Sequence, residues 1–138
     1  MTYLLDTNAV IALLKDHPAG VRRRLRRVAS RGASITTSAV VLFELWYGVA
    51  HSERRRENAE RLRVFLSGAI TIVSFAEEDA ATAGELRAAL ETAGTPIGAY
   101  DLLIAAQALR TRAILVTANV SKFARVPGLV WQDWTAKA

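Results

Sequence analysis

A three-layer α/β/α fold around a central parallel sheet of four to five strands is the arrangement this chain should adopt, and three observations lead to it. Short apolar runs rich in β-branched residues alternate with longer segments of helical period, which is the mark of successive βα units. Glycine and proline break the chain between elements at Gly68, at Gly94-Thr95-Pro96 and at Pro127-Gly128. With 138 residues and no internal repeat, low-complexity tract or linker, the chain suits one core, so a single domain over 1–138 is expected.

Taken in order, "TYLL" (2–5) is the first strand, an apolar run that stops at Asp6. A helix near 9–15 follows, then one near 18–31, where Val21, Leu25 and Val28 form an apolar stripe among arginines. "ASIT" (33–36) is the second strand, and Ser38 is placed to cap a helix near 38–50. In the next helix, near 53–67, Glu53, Glu57 and Glu60 interleave with Arg54, Arg56, Arg61 and Arg63, a spacing that favours intrahelical ion pairs. "ITIVS" (70–74) is a third strand, followed by an acidic helix near 77–93 and an apolar helix near 99–111 that Asp101 helps to begin. "AILVT" (113–117) is the fourth strand, and "LVWQ" (129–132) is the weakest candidate for a fifth.

The net charge of +5 suits a partner that carries phosphates, and 15 of the 18 basic residues are arginine. "VRRRLRRVASR" holds Arg22, Arg23, Arg24, Arg26, Arg27 and Arg31 without an acid, which fits a solvated helix face as well as contact with RNA or an acidic protein. No apolar stretch reaches the roughly 18 residues that span a bilayer, so no membrane role is expected. "MTYLLDTN" lacks the basic start and long apolar run of a signal peptide, and the chain has no cysteine; a cytoplasmic protein is expected.

Several polar residues stand out against apolar surroundings. Asp6 closes the first strand, where it could be a plain N-cap for the helix after it. Glu44 is the charged residue of "SAVVLFELWYG", beside Trp46 and Tyr47, which are candidates for an interface. Asp101 is a single charge at the start of "YDLLIAAQAL", and Asn119 follows the "AILVT" strand, where it could equally hold a turn. In a parallel sheet all four converge on the carboxyl edge, where open α/β sheets bind ligands. Three carboxylates that close would repel one another without a cation. An oxygen-only ligand set, with His17 and His51 assigned to ordinary surface roles, selects a hard ion such as Mg²⁺ or Mn²⁺.

"LLDTNAVIALL", "SAVVLFELWYGV", "GAYDLLIAAQAL" and "LVTANVSKFARVPGL" resemble, in order and spacing over nearly the whole chain, the PIN domain and closely the VapC toxins of bacterial type II toxin–antitoxin pairs. The resemblance implies a PIN-like α/β/α fold and a Mg²⁺- or Mn²⁺-dependent endoribonuclease acting on structured RNA such as tRNA or rRNA. It also implies a homodimer inhibited by a cognate VapB-type antitoxin. By position, Asp6, Glu44 and Asp101 match the family's metal-binding acids, and Asn119 matches a fourth catalytic position that is aspartate in many members. Thr7, Asn8, Ser38 and Thr117 match polar positions that support the site. Lys122 departs from the pattern, since an acid is common there, and it argues against a full second metal site. The alternative is a catalytically degenerate PIN domain that binds RNA or protein as a scaffold, which has no use for mutually repelling acids.

Overall fold

β1 (Thr2–Leu5) lies at the middle of the sheet, because both of its neighbours bond to it over most of its length. The computed structural model describes residues 1–136, in the order β1, α1 (Thr7–Lys15), α2 (Ala19–Ser30), β2 (Ser34–Ser38), α3 (Ala39–Ala50), α4 (Arg55–Leu66), β3 (Thr71–Val73), α5 (Glu77–Thr92), α6 (Ala99–Thr111), β4 (Ile114–Val116), α7 (Val120–Phe123) and β5 (Trp131–Gln132). The five strands are all parallel, in the order β3-β2-β1-β4-β5. This is the expected three-layer α/β/α fold at the upper end of its strand count. Leu5 is in register with Thr37 on one side and Val116 on the other, so β1, β2 and β4 finish level with one another. The chain runs outward from β1 in both directions, and such a reversal of strand order opens a crevice at the carboxyl ends.

The central strands β1, β2 and β4 are buried on both faces, and Leu4, Leu5, Leu115 and Val116 are almost fully enclosed. Thr36 and Thr37 are polar yet buried, because their hydroxyls donate to the carbonyls of Tyr3 and Leu5, each at 2.7 Å. Those bonds help carry β2 to Ser38, past the end expected from "ASIT". α6 contributes Ile104, Ala105, Ala106 and Ala108 to the core, and small side chains allow α5 to pack closely against it. Gln107 ties this layer to the sheet by donating to the carbonyls of Val73 and Ser74, each at 3.0 Å.

Two further details go beyond the sequence expectations. α7 is a single short turn that carries too few residues to show a period. In the acidic stretch, Glu77, Glu78, Glu85 and Glu91 are exposed, but Asp79 is buried and paired with Arg110 of α6. No helix among the described residues is long and apolar enough to cross a membrane.

Candidate active site

Asp6 stands where the chain leaves β1 for α1. Its backbone is extended (φ −78°, ψ 178°) and its N–H donates to the carbonyl of Val116 at 3.1 Å, which fixes it beside the end of β4. Its Oδ1 accepts from the N–H of Ala9 at 2.8 Å and so caps α1, and the hydroxyl of Thr117 also bonds to it. The same side chain is therefore both the cap and a candidate site residue. α1 starts at Thr7, two residues before the expected 9, because this cap draws the first turn back to the strand.

Burial pushes the Asp6 carboxyl up to about 6 from its usual 3.8, the bonds from Thr117 and Ala9 partly offset this, and the charges of Asp101 and Glu44 add to it. Asp6 follows β1, Glu44 lies on α3 and Asp101 on the first turn of α6, near enough for both charges to act on Asp6. Glu44 is oriented by Thr7, whose Oγ1 donates to its Oε1 at 2.7 Å. Asp101 lies in the first turn of α6, whose N-cap is Gly98, and Lys122 Nζ approaches its Oδ2 at 3.7 Å. Among the described residues no three His, Cys, Asp or Glu side chains are gathered closely enough to form a ready-made metal site. The donor set nevertheless fits a hard divalent cation: all oxygen, mutually repelling, and held by neutral hydroxyls at Asp6 and Glu44.

The supporting residues separate into two groups. Thr7 and Thr117 touch the acids, and Thr117 Oγ1 also accepts from the N–H of Asn119 at 2.9 Å. Asn119 is the N-cap of α7, and its side chain makes no capping bond. Ser38 is fully buried and accepts from the N–H of Val40 at 2.9 Å, so it starts α3 and thereby sets where Glu44 falls. Asn8 is exposed and borders a small hollow with Thr117, Ala118 and Thr135, on the side toward the C-terminal turn.

His17 and His51 are exposed, and His51 stacks on Tyr47. Trp46 is half-buried under the guanidinium of Arg63, whereas Tyr47 is exposed. One feature of the edge went unread in the sequence: Phe43 and Tyr100, each next in sequence to an acid of the site, touch at 5.5 Å between ring centroids while remaining 54% and 48% exposed. A large aromatic directly before Glu44 and another directly before Asp101 was the available signal.

Of the expected ion pairs on α4, Arg54 meets Glu57 at 3.5 Å, while Arg61 turns to the carbonyl of Leu14. On α2, Arg22 bonds Asp16 and the carbonyl of Leu13. Arg22, Arg26 and Arg61 thereby rim an apolar groove floored by Leu13, Leu25 and Phe65.

The sequence profile of the PIN domain matches residues 3–129. The chain is 39% identical to the Rickettsia felis ribonuclease VapC2 over 134 residues, covering 97% of this chain and 98% of that protein. It is 33% identical to the tRNA(fMet)-specific endonuclease VapC of Salmonella typhimurium, covering 97% and 98%. Among solved structures, VapBC2 from Rickettsia felis bound to a promoter DNA fragment superposes with a TM-score of 0.91 at 38% identity, over 97% of this chain and 99% of that one. Matches of this length and identity leave one assignment: the chain belongs to the PIN domain family, among its VapC ribonucleases.

Proposed function

We propose that this protein is a Mg²⁺- or Mn²⁺-dependent endoribonuclease that acts in the cytoplasm as the toxin of a toxin–antitoxin pair, works as a homodimer and cuts structured RNA, a tRNA or ribosomal RNA. The observation that carries the reading is Asp6, a buried carboxylate with Glu44 and Asp101 close enough to raise its pKa. None of the ion pairs among the described residues reaches it. A fold that keeps such a group without a cation of its own is suited to take one from outside.

Asp6, Glu44 and Asp101 would hold Mg²⁺ or Mn²⁺, which would supply positive charge for the scissile phosphodiester and lower the pKa of water. The protein's part is positioning. Thr117 and the Ala9 amide hold Asp6 in one orientation, and Thr7 holds Glu44. Asn119, neutral and at the rim, offers an amide to a water or phosphate oxygen without adding charge. Water attacks phosphorus in line as the O3′ bond breaks, which leaves a 5′-phosphate and a 3′-hydroxyl. Exposed arginines of α2 and α4 attract the RNA backbone without reading its sequence.

The partner in this reading is a cognate VapB-type antitoxin, since the Rickettsia felis and Salmonella typhimurium relatives were solved as VapBC assemblies. The arginine-rimmed apolar groove suits a segment with an apolar face and acidic flanks. The test is to incubate the purified protein with total tRNA and ribosomal RNA in Mg²⁺ and to map new 5′ ends. Discrete ends that vanish with EDTA and with Asp101→Asn are expected. Intact RNA under every condition, or cleavage that survives EDTA, would refute the reading.

A further inference from the structure

Lys122 faces the acidic edge from a turn that holds it firmly. α7 is pinned beneath it by Phe123 and Val126, which are 1% and 4% exposed, and by the bond from the Asn119 N–H to Thr117. From there Nζ reaches 3.7 Å from Asp101 Oδ2, with 48% of the Lys122 side chain still open to solvent. Such an exposed pair contributes little to folding. At that separation it is also looser than a hydrogen bond, so the three N–H donors of the ammonium remain available to a second acceptor.

Building on the nuclease reading, we propose that Lys122 takes the place of a second divalent ion: it limits the site to one metal ion and contacts a phosphate of the RNA. The formal charges support this. Asp6, Glu44 and Asp101 with Lys122 sum to minus two, which one divalent ion neutralises. A second ion a few ångströms from the first needs further negative ligands. At the positions flanking this edge the chain offers the neutral amide of Asn119 and the ammonium of Lys122. A cation fixed beside Asp101 repels a second metal ion and attracts a phosphate, and those two effects have the same origin.

The experiment counts Mn²⁺ by calorimetry in wild type, Lys122→Met, Lys122→Arg and Lys122→Glu, and measures binding of a fluorescent single-stranded oligoribonucleotide in Ca²⁺ over a range of salt. One tight Mn²⁺ is expected in wild type and two in Lys122→Glu. Lys122→Met should bind the oligonucleotide about tenfold more weakly, with the salt slope reduced by roughly 0.7, and Lys122→Arg should restore both. Two tight ions in wild type, or unchanged affinity and slope in Lys122→Met, would overturn the proposal while leaving the nuclease reading in place. A wild-type protein that binds no Mn²⁺ and cuts no RNA would overturn both.

Discussion

Asp6 and Asp79 are both aspartates with almost no exposed surface, 4% and 0%, yet the chain treats them in opposite ways. At Asp79, burial raises the carboxyl, but the bond from Arg110, the N–H of Ala76 at 2.7 Å and the charge of Arg110 outweigh it and hold the pKa below its usual value. At Asp6, burial also raises the carboxyl, and the bonds from Thr117 and Ala9 do not overcome it once the charges of Asp101 and Glu44 are added. The same side chain is a structural tie in one place and an unbalanced charge in the other. Where only folding is at stake, the chain supplies the cation itself. In the proposed reading, the charge at Asp6 is left to be balanced by an arriving ion.

The sharpest way to break this comparison is to neutralise each aspartate and measure urea unfolding in EDTA. Asp79→Ala strips the first turn of α5 of its bond to the Ala76 N–H and unpairs Arg110, and a loss of about 3–4 kcal/mol is expected. Asp6→Asn should act the other way. A carboxyl raised from 3.8 to about 6 costs the fold about 3 kcal/mol at neutral pH. Asparagine keeps the capping oxygen but loses the strength of a charged acceptor, so a net gain of about 1–2 kcal/mol is expected. RNA cleavage should fall about a hundredfold or more in the same variant. If Asp6→Asn destabilised the protein as Asp79→Ala does, Asp6 would be a structural residue like Asp79.

A divalent ion should separate the two aspartates next. Mn²⁺ at about a hundred times its dissociation constant adds about 2.7 kcal/mol to a protein that binds it only when folded. For a chain of this length that corresponds to a rise in Tm of roughly 6–12 °C. The rise is expected in wild type and, in full, in Asp79→Asn, because Asp79 belongs to the α5–α6 contact away from the edge. It should shrink to under about 2 °C in Asp6→Asn. A full shift in Asp6→Asn by differential scanning fluorimetry would remove Asp6 from the ligand set.

The contrast also explains what could be read in the sequence. Asp6, Glu44 and Asp101 were visible because each is a lone charge in apolar surroundings, and the spans 2–5 and 99–111 were visible because their periods are unbroken. Asp79 was hidden by Glu77 and Glu78 beside it, and its partner lies 31 residues away. Thr7 was placed near the site, but its bond to Glu44 spans 37 residues and no local pattern encodes it. The early start of α1 and the long β2 have similar causes: a side-chain cap in the first, and hydroxyl bonds to a neighbouring strand in the second. β5 shrinks to Trp131–Gln132 because it pairs with β4 alone at the sheet's edge.

The smallest expected effect, and the most selective, is the pH dependence of the metal-free protein. Asp6 titrates at about 6 in the fold against 3.8 in the unfolded chain, so the folded state binds more protons between those values. Stability contributed at this residue is therefore lost as pH rises through that window, and the loss from pH 5 to pH 7.5 should be about 1 kcal/mol. Asp79 has the opposite sign. Its folded pKa is lowered, so its contribution is complete above the unfolded value and is lost only as pH falls below it. Between pH 5 and pH 7.5 Asp79 is ionised in both states and adds no slope, which leaves Asp6 to be read by difference from Asp6→Asn. Chemical denaturation in EDTA at the two pH values checks this: wild type should lose stability relative to Asp6→Asn as pH rises, and saturating Mn²⁺ should remove that loss. Parallel pH profiles for wild type and Asp6→Asn would mean that Asp6 is ionised at no cost, and the distinction between the two aspartates would fail.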